Sequence, residues 1–139
     1  MKIIDTTTYF EEKLMMNLRF NILNSQVDHF IVCEARFTHS GKSKDINFKK
    51  TDYPNFANKI THLIIDKEPN DIIKKEKLEP QELRFNSVAR IRAQRDYIME
   101  ALNDYSPDDY LIYSDNDEIP NLEFFDFNKN KDKIILFKQ

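Results

Sequence analysis

Apolar residues along this chain fall into two kinds of run. Short unbroken stretches at Lys2–Ile4, His29–Cys33, Ile60–Ile65 and Tyr110–Tyr113 are too brief for helices and rich in β-branched and aromatic side chains, which predicts four buried strands. The other kind recurs at helical spacing. Leu14, Leu18 and Ile22 repeat every four residues between Glu11 and Asn24, with Met15 beside them, and predict an amphipathic helix that turns this stripe to the core. Val88, Ile91, Ile98 and Leu102 do the same for a longer helix over Glu82–Asn103. Arg95 falls on that second stripe. A charge on a core-facing stripe is costly unless paired. Arg95 therefore reads either as a salt-bridged or snorkelled structural residue or as a guanidinium aimed at an anion, whose planar fork suits phosphate.

Between these runs the chemistry is that of turns. Thr6-Thr7-Thr8 follows the first strand, and Thr8 or a neighbour is placed to cap the first helix. Residues Ala35–Asn58 are irregular, with loop composition at Thr38-His39-Ser40-Gly41-Lys42-Ser43-Lys44, and Lys67–Pro80 is a charged surface loop. Leu122–Phe127 predicts a helical turn, and Lys133–Gln139 begins another apolar strand whose continuation is expected to lie beyond the last residue. The order β-α-β-loop-β-α-β implies an α/β fold with a mostly parallel, Rossmann-like sheet and helices on its faces. Three strands run into an acid, Glu34, Asp66 and Asp115, which lines the carboxyl edge of that sheet with carboxylates, where open α/β sheets bind ligands.

With 139 residues the chain makes one domain. Its 21 Lys+Arg and 24 Asp+Glu give a net charge of −3, and no basic block points to nucleic acid. Cys33 is the only cysteine and sits in an apolar run, so an internal disulfide and a cysteine-based zinc site are excluded. Asp5 follows too soon after Met1 for a signal peptide, and no apolar run approaches the roughly 18 residues of a membrane span. Gly41 is the only glycine, where about 7% is ordinary. Glycine-rich phosphate loops are thereby ruled out; a phosphate bound here must be held by side chains and a metal.

Candidate chemistry concentrates at Tyr110–Pro120, where an apolar strand stops in Asp115-Asn116-Asp117-Glu118 and Pro120 bars its continuation. Asp and Glu are hard oxygen ligands suited to Mg²⁺ or Mn²⁺. Spacing alone equally allows a polar turn in which Asp115 or Asn116 caps backbone amides. An EF-hand is excluded, since its fifth and sixth positions would be Ile119 and Pro120. An aspartyl phosphotransferase normally opens its fold with D-x-D, whereas three strands precede it here. Of the histidines, His29 and His62 adjoin strands and read as structural; His39, in the polar loop, is placed to meet a ligand.

The chain resembles glycosyltransferase family 17, whose best-known member adds bisecting N-acetylglucosamine to N-glycans and which has bacterial and viral relatives. The resemblance rests on Ile4-Asp5-Thr6 with Tyr9-Phe10-Glu11, the Leu18-Arg19 helix, Val27–Glu34, Thr38–Lys42, Gln94-Arg95-Asp96 and Ser114–Pro120, in that order. It implies a GT-A-type fold, a nucleotide-sugar donor (UDP-GlcNAc), a glycan acceptor such as a β-linked mannose, an inverting transfer, and Mn²⁺ or Mg²⁺ at the D-x-D. In that scheme Asp117 is the direct metal ligand and Asp115 contacts the metal's water or the donor ribose. Glu34 faces the uridine, Arg95 reaches the diphosphate, His39 lies at the donor, and Glu118 supports the ligands from behind. Such enzymes run to about twice this length, the size of a full α/β domain. Residues 1–139 are therefore expected to be the N-terminal, donor-binding part of one domain, with the general base beyond Gln139 and no complete activity alone. A metal-dependent nucleotide-sugar-binding module or an inactive fragment is the alternative. The resemblance places bacterial or viral members in the cytoplasm or at its membrane, and eukaryotic ones in the Golgi membrane.

Overall fold

A computed structural model of the chain describes residues 1–131 and 133–137. Four strands, β1 (Ile3–Tyr9), β2 (His29–Ala35), β3 (Ile60–Ile65) and β4 (Tyr110–Tyr113), form one sheet in the order β3-β2-β1-β4. Every pairing is parallel, with Ile4 opposite both His29 and Leu111, and Phe30 opposite Ile60. Two helices complete the α/β fold, α1 (Lys13–Leu23) and α2 (Pro80–Tyr97).

The first strand is longer than its apolar run. Threonine is β-branched and suits a pleated strand, and here the hydroxyls have acceptors: Thr6 Oγ1 donates to the Ile112 carbonyl at 2.8 Å and Thr7 Oγ1 to that of Ser114 at 2.9 Å. The strand thus continues through the threonines to Tyr9 instead of ending at Asp5. Thr8 caps nothing; Glu12 occupies the cap position of α1, without a side-chain bond to the helix.

Side chains alternate across the sheet and feed two cores. Phe30 and Val32 face Met16, Phe20 and Leu23 of α1, with Phe48, Tyr53 and Phe56 packed around them. Phe20 is the hub, its ring 4.8 Å from Phe30, 5.1 Å from Tyr53 and 5.6 Å from Phe56. On the opposite face Ile4, Ile31, Cys33, Ala35 and Ile65 meet Phe37 and Ile98. Burial in this second core pushes the Cys33 thiol up to about 12, the state of an inert core residue.

The face that α1 buries differs from the one its apolar period predicts, and of the stripe predicted for the longer helix Ile98 and Leu102 do pack into the second core while Val88 is exposed. Leu14 is 81% exposed, and Leu18 and Ile22 about half; the buried stripe is Met16, Arg19, Phe20 and Leu23. It wins because Phe20 brings more apolar area than any leucine, and because Arg19 enters the interior already paired with a buried acid. In α2 the buried residues are Asn86, Ala89, Arg90 and Gln94, whereas Val88 is exposed and the Arg95 side chain is half exposed. Polar capture of neighbouring loops replaces apolar packing. The Asn86 amide closes both hydrogen bonds on the Ile73 backbone (2.8 and 2.9 Å), and Arg90 pairs with Glu68 while donating to the His39 carbonyl. The helix starts with Pro80 and a reciprocal Glu79–Glu82 capping box. It ends at Tyr97, and a 3₁₀ segment (Ile98–Asp104) continues to where a single helix was expected.

The Leu122–Phe127 segment makes a tight turn (Phe125 N–H to Leu122 C=O, 3.1 Å), with 3₁₀ geometry only at Asn128–Asn130. Residues 133–137 form no strand, Ile134 and Leu136 being fully exposed; Lys138 and Gln139, the rest of that expected strand, lie outside the described residues. No helix among the described residues is long and apolar enough to cross a membrane.

Candidate functional site

From β1 the chain moves to β2 and β3 on one side, while β4 returns on the other. The carboxyl ends of β1 and β4 therefore flank the point where strand order reverses, the usual crevice of an open α/β sheet. A cleft of about 370 Å³ opens there. Thr8, Tyr9 and Phe10 from the end of β1 form one wall; Phe37 and His39 from the loop after β2, with Ile91, Gln94 and Arg95 of α2, form another. Asp115, Asn116 and Asp117 close it.

Past Tyr113 the chain makes a four-residue turn, with the Glu118 amide donating to the Asp115 carbonyl at 3.0 Å. Ser114 Oγ donates to the Glu118 carbonyl at 2.7 Å. The strongest constraint comes from beneath. Arg19 of α1, fully buried, holds both oxygens of the buried Asp5 at 2.7 Å through Nε and Nη2. Its remaining donors all reach the turn: Nη2 to Ser114 Oγ at 2.7 Å, and Nη1 to the carbonyls of Asp115 (2.9 Å), Glu118 (3.3 Å) and Asn116 (3.5 Å). All five N–H groups of the guanidinium are used. Neither Asp5 nor Arg19 stood out as a site residue from sequence. The available signal was an aspartate closing an apolar strand run and an arginine one position after an apolar helix stripe.

On the open side Asp115 Oδ1 accepts from Arg95 Nη2 at 3.2 Å and from the Tyr113 hydroxyl at 3.3 Å. The guanidinium lies 5.5 Å above the Tyr113 ring, so the phenol and the arginine orient one carboxylate together. Burial, the largest influence, raises the Tyr113 phenol above its ordinary value and keeps it a donor. Arg95 thus takes the salt-bridged form of the two readings, pairing with Asp115 from a half-exposed position and not from the core stripe. Asp117 is exposed at the tip of the turn. Glu118 lends the turn its backbone carbonyl.

His39 lines the opposite wall, its Nε2 3.4 Å from Gln94 Oε1 and its carbonyl held by Arg90 at 3.1 Å. The bend that carries it requires Gly41, which has φ +85° and lies so close to Arg90 that a Cβ would meet the guanidinium carbon at 2.7 Å. The single glycine of the chain therefore shapes this wall.

The three strand-end acids do not converge. Glu34 lies within β2, fully buried, and is not part of the cleft wall. Its carboxylate accepts from Lys44 Nζ and from the amides of Asn47 (2.8 Å) and Phe48 (3.0 Å), with His62 Nε2 at 3.4 Å. Burial alone would raise its pKa; these donors outweigh burial and hold it at about 2. The role visible for Glu34 is to pin the loop 44–48 to the sheet. Asp66 is exposed and pairs with Arg36 at 2.7 Å. His29 bonds Thr61 Oγ1 (2.8 Å), a structural placement; His62 lies with its ring 4.8 Å from that of Phe48 and tilted by 59°, and its buried Nε2 has no hydrogen-bond partner among the described residues.

No group of three or more His, Cys, Asp or Glu able to hold a metal occurs among the described residues. The cleft instead offers two carboxylates, Asp115 and Asp117, on one clamped turn, and Glu12 in its lining, whose carboxylate already accepts the amides of Phe10 and Glu11. One or two carboxylates completed by substrate phosphates and water is the usual coordination of Mg²⁺ at nucleotide sites. The donor set fits a hard cation shared with a phosphate ligand, not one caged by protein alone.

The sequence model described as glycosyltransferase family 17 matches residues 1–136. No curated protein and no solved structure matches the chain significantly.

Proposed function

The chain belongs to glycosyltransferase family 17, and we propose that the cleft under the Ser114–Glu118 turn is the donor site of a metal-dependent, inverting N-acetylglucosaminyltransferase. Membership supports glycosyltransferase activity, with a nucleotide-sugar donor and an acceptor. The finer reading is a GT-A-type, Rossmann-like donor domain taking UDP-GlcNAc, with Mn²⁺ or Mg²⁺, for transfer to a β-linked mannose or similar glycan. The observation that carries it is the convergence of Asp115 and Asp117 with Arg95 in one cleft at the strand-order reversal.

In this mechanism Asp117 and Asp115 would hold the cation, which when bound would supply Lewis-acid neutralisation of the departing nucleoside diphosphate. Arg95 sits on Asp115 with its side chain half exposed; on donor entry its planar fork moves to the diphosphate. Tyr113 stays on Asp115 and keeps that carboxylate oriented while Arg95 exchanges partners. His39 and Gln94 present ring and amide groups to the donor from the facing wall. Tyr9, Phe10 and Phe37 supply apolar surface that excludes water from it.

Calorimetric titration of UDP-GlcNAc into the chain, with and without Mn²⁺, tests the assignment. Binding that requires the metal is expected. No binding, or binding indifferent to metal, contradicts it.

A further inference from the structure

We propose that the buried Asp5–Arg19 pair is a positioning device for the acidic turn: it sets the conformation of Ser114–Glu118, and through it the placement of the Asp115 and Asp117 carboxylates. The inference rests on the donor-site reading above. It goes beyond it by assigning a role to two residues that touch no ligand and do not line the cleft.

The geometry singles out this pair. Arg19 and Asp5 are 0% and 1% exposed, so neither exchanges its bonds with water. Asp5 consumes exactly two of the five guanidinium donors, and the other three are spent on a segment about 95 residues away. A salt bridge serving only the core would leave those donors for α1 or the sheet. Here they collect the Ser114 hydroxyl and the carbonyls of Asp115 and Glu118, at the start and end of the turn. The turn's own bonds, Glu118 N–H to Asp115 C=O and Ser114 Oγ to Glu118 C=O, close on the same acceptors. Carbonyls drawn onto a buried cation fix the backbone whose side chains project into the cleft. Lysine cannot substitute, because an ammonium has three donors and no fork.

The test compares three chains: wild type, Arg19→Lys and, as a control for destabilisation, Phe20→Leu on the same helix, whose ring packs away in the aromatic core. Two readouts are taken at temperatures giving equal distance from each melting point. These are amide hydrogen exchange of the 114–120 segment and the Kd for UDP-GlcNAc with Mn²⁺. Arg19→Lys is expected to speed exchange in the turn and weaken metal-dependent binding, each by about tenfold, the effect of one charge-assisted hydrogen bond. Phe20→Leu should leave both near wild type. The proposal is overturned if Arg19→Lys leaves exchange in the turn unchanged. It is equally overturned if exchange rises but Kd does not, because the pair is then structural only, or if Phe20→Leu shifts Kd as much. Absence of metal-dependent binding in the wild type sinks the donor-site reading, and this proposal with it, before any substitution is compared.

Discussion

Glu34→Gln keeps the shape of a fully buried side chain and removes its charge. In the native chain that carboxylate has His62 Nε2 at 3.4 Å and takes bonds from Lys44, whose own side chain is 9% exposed, and from two backbone amides. The fall from an ordinary 4.5 to about 2 measures how much better the folded protein holds the ionised form. At about 1.4 kcal/mol per pKa unit this is about 3 kcal/mol of stability at neutral pH. Because the folded value is the lower one, the contribution is complete above about pH 5 and is lost as pH falls towards 2, with about half left at pH 3. Urea unfolding followed by circular dichroism at pH 7, 5 and 3 reads it directly. Glu34→Gln should be less stable than wild type by about 3 kcal/mol at pH 7, and the gap should narrow to about half at pH 3. Equal stability at pH 7, or a gap that does not change with pH, refutes the reasoning and leaves the 44–48 loop held by something other than this charge.

Two further outcomes follow from the cleft walls. Gly41→Ala forces a Cβ onto the Arg90 guanidinium at a positive φ, and should lower stability by about 1–3 kcal/mol in thermal melts; an unchanged melting temperature contradicts that packing. Arg95→Gln removes a half-exposed cation that pairs only at the surface, so stability should stay within about 0.5 kcal/mol while Mn²⁺-dependent affinity for UDP-GlcNAc falls roughly tenfold. The reverse pattern, lost stability with intact affinity, makes Arg95 a structural residue.

The strands were legible from the chain because each is an apolar run bounded by turn chemistry, and β3 and β4 begin and end where the run does. The acidic turn was legible for the same reason: a strand cannot continue through Asp115-Asn116-Asp117 into Pro120. The helix faces were legible only in part, at Ile98 and Leu102. Leu14, Leu18 and Ile22 have a clean helical period, yet the face that enters the core carries Arg19, and what makes its burial tolerable is Asp5 on another element. Hydrophobic periodicity is blind to such a partner. In α2 the whole buried face is polar or small, and its cost is met by Ile73, Glu68 and His39, all contributed by loops that carry no periodic signal. Glu34 misled for a related reason. A strand-end acid looks like a ligand for solvent or substrate, and only the folded loop shows that Lys44 and two amides already occupy it.

The central claim, that Ser114–Glu118 holds a metal-linked donor, is tested most directly by calorimetry on wild type, Asp117→Ala and Asp66→Ala. UDP-GlcNAc should bind wild type only with Mn²⁺, lose that binding in Asp117→Ala, and retain it in Asp66→Ala, whose exposed carboxylate pairs with Arg36. Binding of equal strength without metal, or undiminished in Asp117→Ala, contradicts the claim.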